Sequence, residues 1–502
     1  MTFFRTTGLI AALLGAIGHT GEAAAQTYAA DVPETILTPD AVETQTLGTL
    51  KFFDGMPQPE TTAKLYDRLD LVRGITAFLD GVPVASLYAF NKGLREEGVA
   101  TNDVGIWENL ADARTLLLTP NTTTIYVASP LDVSEGPVVI EVPPGMLGIL
   151  DDAAFKFVEN IGFLGPDKGE GGKYLFLPPG YKGDVPQGYF VINTPSYEHW
   201  FILRGSPDEN GETEAAVAAI KEGLNIYSLS EADNPPEEIF TNLSGVQINT
   251  IHANDFAFFE EIDAAVQHEP EGSISPELLG TFAAIGIRKG EPFEPDDRLR
   301  AILEEAAAIG NGIARAVTFS PRDPGVFFYE GQQWSSPYRR KTSEFLVDGV
   351  RMLDDRTYFH YYATGITPAM ADPPVGSGSV YAIAAKDATG AYLDGGKTYS
   401  VTLPGPVPAK RFWSFQVYSG QHRSLLETDQ QSAGIDSNAE SLAANEDGSY
   451  TVYFGPKAPD GEEGNWVQTM PEKSYNVVLR LYSPLEPWFD QTWRPGDLVP
   501  ID

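Results

Sequence analysis

The sequence predicts a multidomain, mainly β protein: two antiparallel β-sandwich or barrel domains joined by a helical linker. Three observations predict it. At 502 residues the chain is too long for one core, given roughly 100–200 residues per domain. Short β-branched and aromatic runs gather in two clusters, separated by Pro/Gly/Asp turns. Between the clusters, apolar residues recur every three to four positions, the helical period. The expected organisation is a leader at 1–25, an N-terminal domain with leading helices at 26–210, a helical linking segment at 211–345 and a jelly-roll-like sandwich at 346–502.

Residues 1–25 read as an export signal. Arg5 supplies a short positive start, residues 8–18 are uncharged and mostly apolar, and Ala23-Ala24-Ala25 offers a cleavage site before Gln26. The run is too short for a stable anchor, and no later stretch reaches ~18 continuous apolar residues. A soluble periplasmic or secreted protein, without membrane insertion, is expected.

Residues 26–60 look extended and loop-rich. From 61 to 97 the spacing of Leu65, Leu69, Val72 and Leu79 is helical, and Asp80-Gly81-Val82-Pro83 predicts a break into two helices. The period then changes to that of strands around Ile125–Val127, Val138–Val142, Tyr174–Leu177, Tyr189–Ile192 and Trp200–Leu203. Helices return at 214–223, 255–267, 276–285 and 296–317, the third announced by Ser275 as N-cap with Pro276 at the first helical position. From Tyr358 onward β runs resume, centred on Val380–Ile383, 398–403, 411–418, 449–454 and 476–482, with hairpin turns at Asp394-Gly395-Gly396 and Asp447-Gly448.

Composition narrows the chemistry. Seventy acidic residues against 34 basic ones give a net charge of −36, which argues against nucleic acid or anionic lipid as a partner. The absence of cysteine excludes disulfides, thiolate zinc, iron–sulfur clusters and cysteine nucleophiles. Neither a phosphate loop nor a dinucleotide fingerprint is present, so a nucleotide cofactor is not expected. A divalent metal stays open, but it would have to be assembled from distant histidines and carboxylates. A homo-oligomer stays open too.

Several spaced blocks carry a family resemblance. They include Gly172-Lys173-Tyr174-Leu175-Phe176-Leu177-Pro178-Pro179-Gly180-Tyr181, Ile251-His252-Ala253-Asn254-Asp255-Phe256, Phe359-His360-Tyr361-Tyr362-Ala363-Thr364-Gly365 and Trp488-Phe489-Asp490-Gln491-Thr492-Trp493. Together with Phe412-Trp413-Ser414, Tyr453-Phe454-Gly455-Pro456-Lys457 and Arg480-Leu481-Tyr482, they resemble the exported bacterial family that pairs domains of unknown function 1254 and 1214. The resemblance spans nearly all of the chain after the leader. It implies two all-β domains joined by a helical segment, and no function. Two positions depart from the family pattern. Thr123, in Asn121-Thr122-Thr123-Thr124-Ile125-Tyr126, stands where the family carries an acidic residue, which puts a mechanism through that carboxylate in question. His422 stands where a threonine is expected.

The candidate catalytic residues are His360, Arg423 and Arg480. Read as part of a strand, His360 shares a face with Tyr362, and an imidazole beside phenols suits acid–base work near neutral pH. Arg423 and Arg480, in so acidic a chain, read as anion clamps. Asn121, Tyr126, Tyr362, Trp413, Tyr418 and His422 are the candidate substrate-binding residues, and no metal ligands are assigned. Ser424 beside His422 is a weaker nucleophile candidate, and the aspartates around Gly390 suit a plain hairpin turn better than a calcium loop. The expected function is an exported soluble hydrolase acting on a small or oligomeric substrate in an aromatic cleft between the β domains. The alternative is a non-catalytic envelope protein binding glycans or aryl ligands.

Overall fold

The computed structural model describes residues 32–208, 211–431 and 434–501; the segment read as a signal, 1–25, lies outside them. The described residues fall into two units, divided between Tyr66 and Asp67. In the first, strands Ala41–Thr44, Gly48–Phe53 and Met56–Pro57 form a three-stranded antiparallel meander.

The second unit holds the two sandwich-like domains. In the N-terminal one, a six-stranded sheet runs in the order Phe240–Asn242, Val104–Ile106, Ile125–Asp132, Glu198–Gly205, Leu147–Asp151, Phe157–Gly162. Its inner face (Ile125, Val127, Phe201, Leu203) packs on Ile140, Tyr174 and Phe176 of a four-stranded sheet, Phe190–Asn193, Gly172–Leu177, Val138–Val142, Asn225–Ser228. In the C-terminal domain, Ser379–Ala384, Tyr475–Tyr482, Trp413–Ser419 and Gly434–Asp436 make one sheet. Trp466–Gln468, Tyr450–Gly455, Thr398–Leu403 and Val499–Ile501 make the other. Phe415, Val417, Leu479, Leu481, Val452 and Phe454 fill the space between them. The architecture is the mainly β, multidomain one expected. Both domains are sandwich-like, with open sheets and no closed barrel among the described residues. Most pairings are antiparallel, with parallel ones at sheet margins, such as Gly172–Leu177 with Phe190–Asn193.

The helices depart from expectation at two places. The expected break at Gly81 is absent: helix α1 runs unbroken over Pro59–Glu96. Gly81 is a close-packing position, where a Cβ would lie 2.5 Å from Ile262 Cδ1. Pro83 has no N–H for the Leu79 carbonyl, which instead accepts from the Thr357 hydroxyl at 3.5 Å. The most apolar 18-residue stretch of α1 has mean hydropathy 1.2, enough for a membrane span by composition, but 61% of it is buried inside the protein. Helix α2 (Glu214–Gly223) sets Val217 and Ile220 on the N-terminal sandwich core. The burial of α1 is against Phe258 and Ile262 of α3 (Ala257–His268), Phe282 of α4 (Pro276–Ala283) and Leu303 of α5 (Asp297–Phe319).

The second correction concerns residues 353–362, which form helix α6 (Leu353–Tyr362) and not a strand. Asp354 and Asp355 lie in its first turn, where the helix dipole favours negative charge. Successive residues of a helix are about 100° apart, so His360 and Tyr362 diverge instead of sharing a face. Gly365 then turns the chain at φ +72° with its Cα against Trp200; a Cβ there would lie 2.2 Å from the indole ring.

Candidate functional site

Two sheet faces meet across a cavity of about 80 Å³. From the N-terminal sheet come Tyr126, Ile149, Trp200, Ile202 and Arg204. Their common orientation follows from strand alternation, since Trp200, Ile202 and Arg204 are two residues apart and Arg204 is paired directly with Tyr126. From the C-terminal sheet come Tyr381, Ile383, Val478 and Arg480, and here too Tyr381 faces Arg480 and Ile383 faces Val478 in register. Leu117–Pro120, Pro337, Tyr338, the α6 residues Phe359 and Tyr362, and Ala363, Thr364 and Met370 complete the wall. At about 15 Å³ of such volume per water, the cavity holds several waters or a small ring.

The two arginines set its electrostatics. Arg480 is 4% exposed. Its Nη2 donates to the Thr119 carbonyl at 3.0 Å, the Pro120 carbonyl at 3.3 Å and the Tyr418 hydroxyl at 2.5 Å, while its buried Nε has no partner. Neither Arg480 nor Arg204 makes an ion pair among the described residues, unlike the half-buried Arg95 and Arg356 and the exposed Arg298. Burial raises the pKa of the Tyr126, Tyr338 and Tyr362 phenols, so they are neutral donors at pH 7. Trp200 Nε1, also buried, is a further donor without a partner.

Behind the wall, segment 119–126 is fastened to the C-terminal sheet. Asn121 is 1% exposed and organises the segment. Its Oδ1 accepts from the Thr123 N–H, the Thr123 hydroxyl and the Thr124 hydroxyl, and its Nδ2 donates to Tyr126 Oη at 2.8 Å. Thr123 Oγ1 lies 3.3 Å from Tyr482 Oη, Gln416 Nε2 donates to Thr122 Oγ1 at 3.1 Å, and the Tyr418 hydroxyl donates to the Pro120 carbonyl. Tyr362 Oη donates to Asn476 Oδ1.

Of the residues singled out from sequence, Arg480, Tyr126 and Tyr362 line this cavity, and Asn121 and Tyr418 stand directly behind it. The others lie elsewhere. His360 is 2% exposed and packs among Phe155, Phe345 and Phe359; burial, with Arg356 adding to it, pushes its pKa down to about 3, so it is neutral. Trp413 belongs to the sandwich core, edge-on to Phe415 and Tyr450, because residues 413, 415 and 417 point inward, while Gln416 and Tyr418 on the other face reach the segment 119–126. Arg423 is fully buried against Tyr361, and His422 is a half-buried loop residue whose Nδ1 accepts from the Ser424 N–H. The Ser424 hydroxyl donates to the Thr115 carbonyl. Sequence reasoning missed Arg204, Trp200 and Tyr381. The available signal was the two-residue spacing that carries Arg204 onto the face of Trp200.

The family DUF1254, described as a protein of unknown function, matches residues 101–228, and DUF1214, described in the same words, matches 378–486. The chain carries both domains, DUF1254 first and DUF1214 second. The cavity draws on both matched domains: Tyr126, Trp200 and Arg204 lie in DUF1254, and Tyr381, Val478 and Arg480 in DUF1214. The crystal structure of the VPA0106 protein from Vibrio parahaemolyticus is similar in fold, with a TM-score of 0.53 at 17% identity, covering 86% of this chain and all of that one. An uncharacterized protein from Burkholderia cenocepacia aligns over 88% of this chain and 97% of its own at 11% identity, with a TM-score of 0.38. No curated protein matches the DUF1254–DUF1214 chain in sequence.

Proposed function

We propose that this DUF1254–DUF1214 protein binds a small aryl acid in the cavity between its two domains. The observation that carries the reading is a pair of arginines, Arg204 and Arg480, without carboxylate partners among the described residues, opening onto a cavity walled, apart from Thr119 and Thr364, by aromatic and aliphatic side chains. An aromatic ring fits the apolar walls, and a carboxylate suits the guanidinium donors. A glycan fits less well, because the lining has no carboxylate or amide side chain to accept from sugar hydroxyls. Hydrolysis finds less support for a related reason. The lining contains no histidine, carboxylate or serine to serve as base or nucleophile, and His360 is buried among phenylalanines outside it. An exported, envelope-located binding protein is therefore the reading favoured, with the leader-like residues 1–25 as the support for its location.

Calorimetric titration of the purified protein with benzoate, phenylacetate and benzyl alcohol tests it. A charge-assisted hydrogen bond contributes about 1.5–3 kcal/mol, so the acids should bind roughly 10–100 times tighter than the alcohol. Arg204→Ala should erase most of that preference; Arg204 is only half-buried and makes no ion pair among the described residues, so the fold should survive its loss. Absence of saturable binding, or an unchanged preference in Arg204→Ala, sinks the reading. Chromatography of the same mixtures with the corresponding phenyl esters would return hydrolysis to first place if product appeared.

A further inference from the structure

A second buried cation lies apart from the cavity. Arg423 is 0% exposed, and its Nε, Nη1 and Nη2 all lack hydrogen-bond partners. Its guanidinium lies over the Tyr361 ring, 3.9 Å from the centroid, and no carboxylate forms an ion pair with it among the described residues. The phenol below it donates to Asn311 Oδ1 at 2.6 Å and offers the guanidinium at most one weak acceptor, its own oxygen. Arg315 adds a second positive charge to the neighbourhood while holding the Gly420 and Gln421 carbonyls. Burial pulls Arg423 down to about 10, which leaves it charged at neutral pH. A fully desolvated guanidinium without a partner is among the most costly arrangements in a protein interior. The backbone nevertheless holds it there, in the left-handed region at φ +65° with its N–H bonded to the Ser419 carbonyl at 3.0 Å.

His252 also packs on Tyr361, with ring centroids 5.9 Å apart, and the Arg423 charge reaches it. Its Nδ1 lies 2.8 Å from the Ala253 carbonyl, so that nitrogen carries the proton and Nε2 is left as an acceptor. Nε2 is buried without a partner. Burial and Arg423 together push the imidazole pKa down to about 3, so the ring stays neutral. Arg423 therefore offers several donors and His252 one acceptor. A bare anion satisfies only the first.

We propose that Arg423 and His252 form a site, distinct from the aryl cavity, for a small oxyanion that keeps one O–H, such as hydrogen phosphate or bicarbonate. Its oxygens accept from the guanidinium, and its O–H donates to His252 Nε2. Bidentate geometry and the planar guanidinium favour an oxyanion over a halide.

Two readouts test the site, one for a tightly held anion and one for a loosely held anion. The purified protein is unfolded in dilute acid in a sealed vessel, released phosphate is counted by ion chromatography, and carbonate is counted as carbon dioxide. Separately, melting temperature is followed against sodium phosphate, bicarbonate, sulfate and chloride at matched ionic strength and pH 7.5. The expected result is one equivalent of phosphate or carbonate per chain, or a saturable rise in melting temperature with phosphate or bicarbonate and not with sulfate or chloride. Either signal disappears in Arg423→Met, which replaces the charge by an apolar chain of similar length. In His252→Phe the anion response remains but sulfate becomes as effective as phosphate, so the proposal stays open to refutation even if Arg423→Met fails to fold. Neither release nor shift in the wild type, a response that persists in Arg423→Met, or sulfate matching phosphate in the wild type would overturn it.

Discussion

Two glycines two residues apart in α5 make opposite predictions. Gly312 is exposed, and a Cβ added there would meet nothing within 4 Å. At Gly310 a Cβ would lie 2.7 Å from Phe78 Cγ and 2.8 Å from Phe78 Cβ and Cδ1. Intrinsic helix propensity favours alanine over glycine by about 1 kcal/mol at either position. Gly312→Ala receives that gain alone and should stabilise the protein by about 0.5–1 kcal/mol. Gly310→Ala must also push a ring that is 0% exposed and stacked on Phe258 at 4.1 Å, with the Phe78 Cβ itself in the way. Overpacking of this kind costs about 1–3 kcal/mol, and the anchored position of Phe78 Cβ places it toward the upper end. The net expectation is a loss of about 1–2 kcal/mol. Urea unfolding followed by tryptophan fluorescence measures both changes as midpoint shifts at constant slope. In thermal melts the separation is only a few degrees, since entropy of ~2.1 cal/mol/K per residue makes a unit of this size shift by about 1 °C per kcal/mol. If Gly310→Ala proved as stable as Gly312→Ala, the close approach of α5 to α1 would be wrong.

Glu261 accepts from the Ala253 N–H through both oxygens and is 8% exposed; burial raises its pKa to about 7. The folded state then holds a proton that the unfolded state releases, so the stability from this group is complete below pH ~4.3 and declines up to about pH 7. Glu261→Gln should therefore gain on the wild type progressively between about pH 4.5 and 7 and level off above, and equal curves across that range in denaturant titrations would refute the assignment. Asn121→Ala removes one acceptor serving three donors inside the protein and should cost about 2–4 kcal/mol by denaturant midpoint; a loss below about 1 kcal/mol would mean segment 119–126 is held by other contacts. Tyr362→Phe leaves Asn476 Oδ1 without its donor and should cost about 1–3 kcal/mol in the same assay, with an unchanged midpoint counting against that bond.

Strands were legible from sequence where both faces bury apolar groups, as at Val138–Val142 and Tyr475–Tyr482, because continuous β-branched runs leave few alternatives. Helix α6 was not legible. Phe359, Tyr361 and Tyr362 favour strands intrinsically, and tertiary packing of all three in the interior outweighed that preference. Gly81 and Pro83 read as a break because local rules could not show Ile262 pressed against the one or Thr357 reaching the carbonyl behind the other. Arg480 was identified as a strand arginine in need of a partner, but the cavity it lines was invisible, since Arg204 and Tyr381 come from sheets whose apposition no local pattern encodes.

Segment 119–126 belongs by sequence to the DUF1254 match, yet its carbonyls and hydroxyls are bonded to side chains of the DUF1214 sheet. A chain cut between the two matches would strip Arg480 of its carbonyl acceptors and leave Tyr418 facing solvent. The cavity is thus a joint possession: each half holds one arginine and part of the wall, and neither carries the whole of it alone.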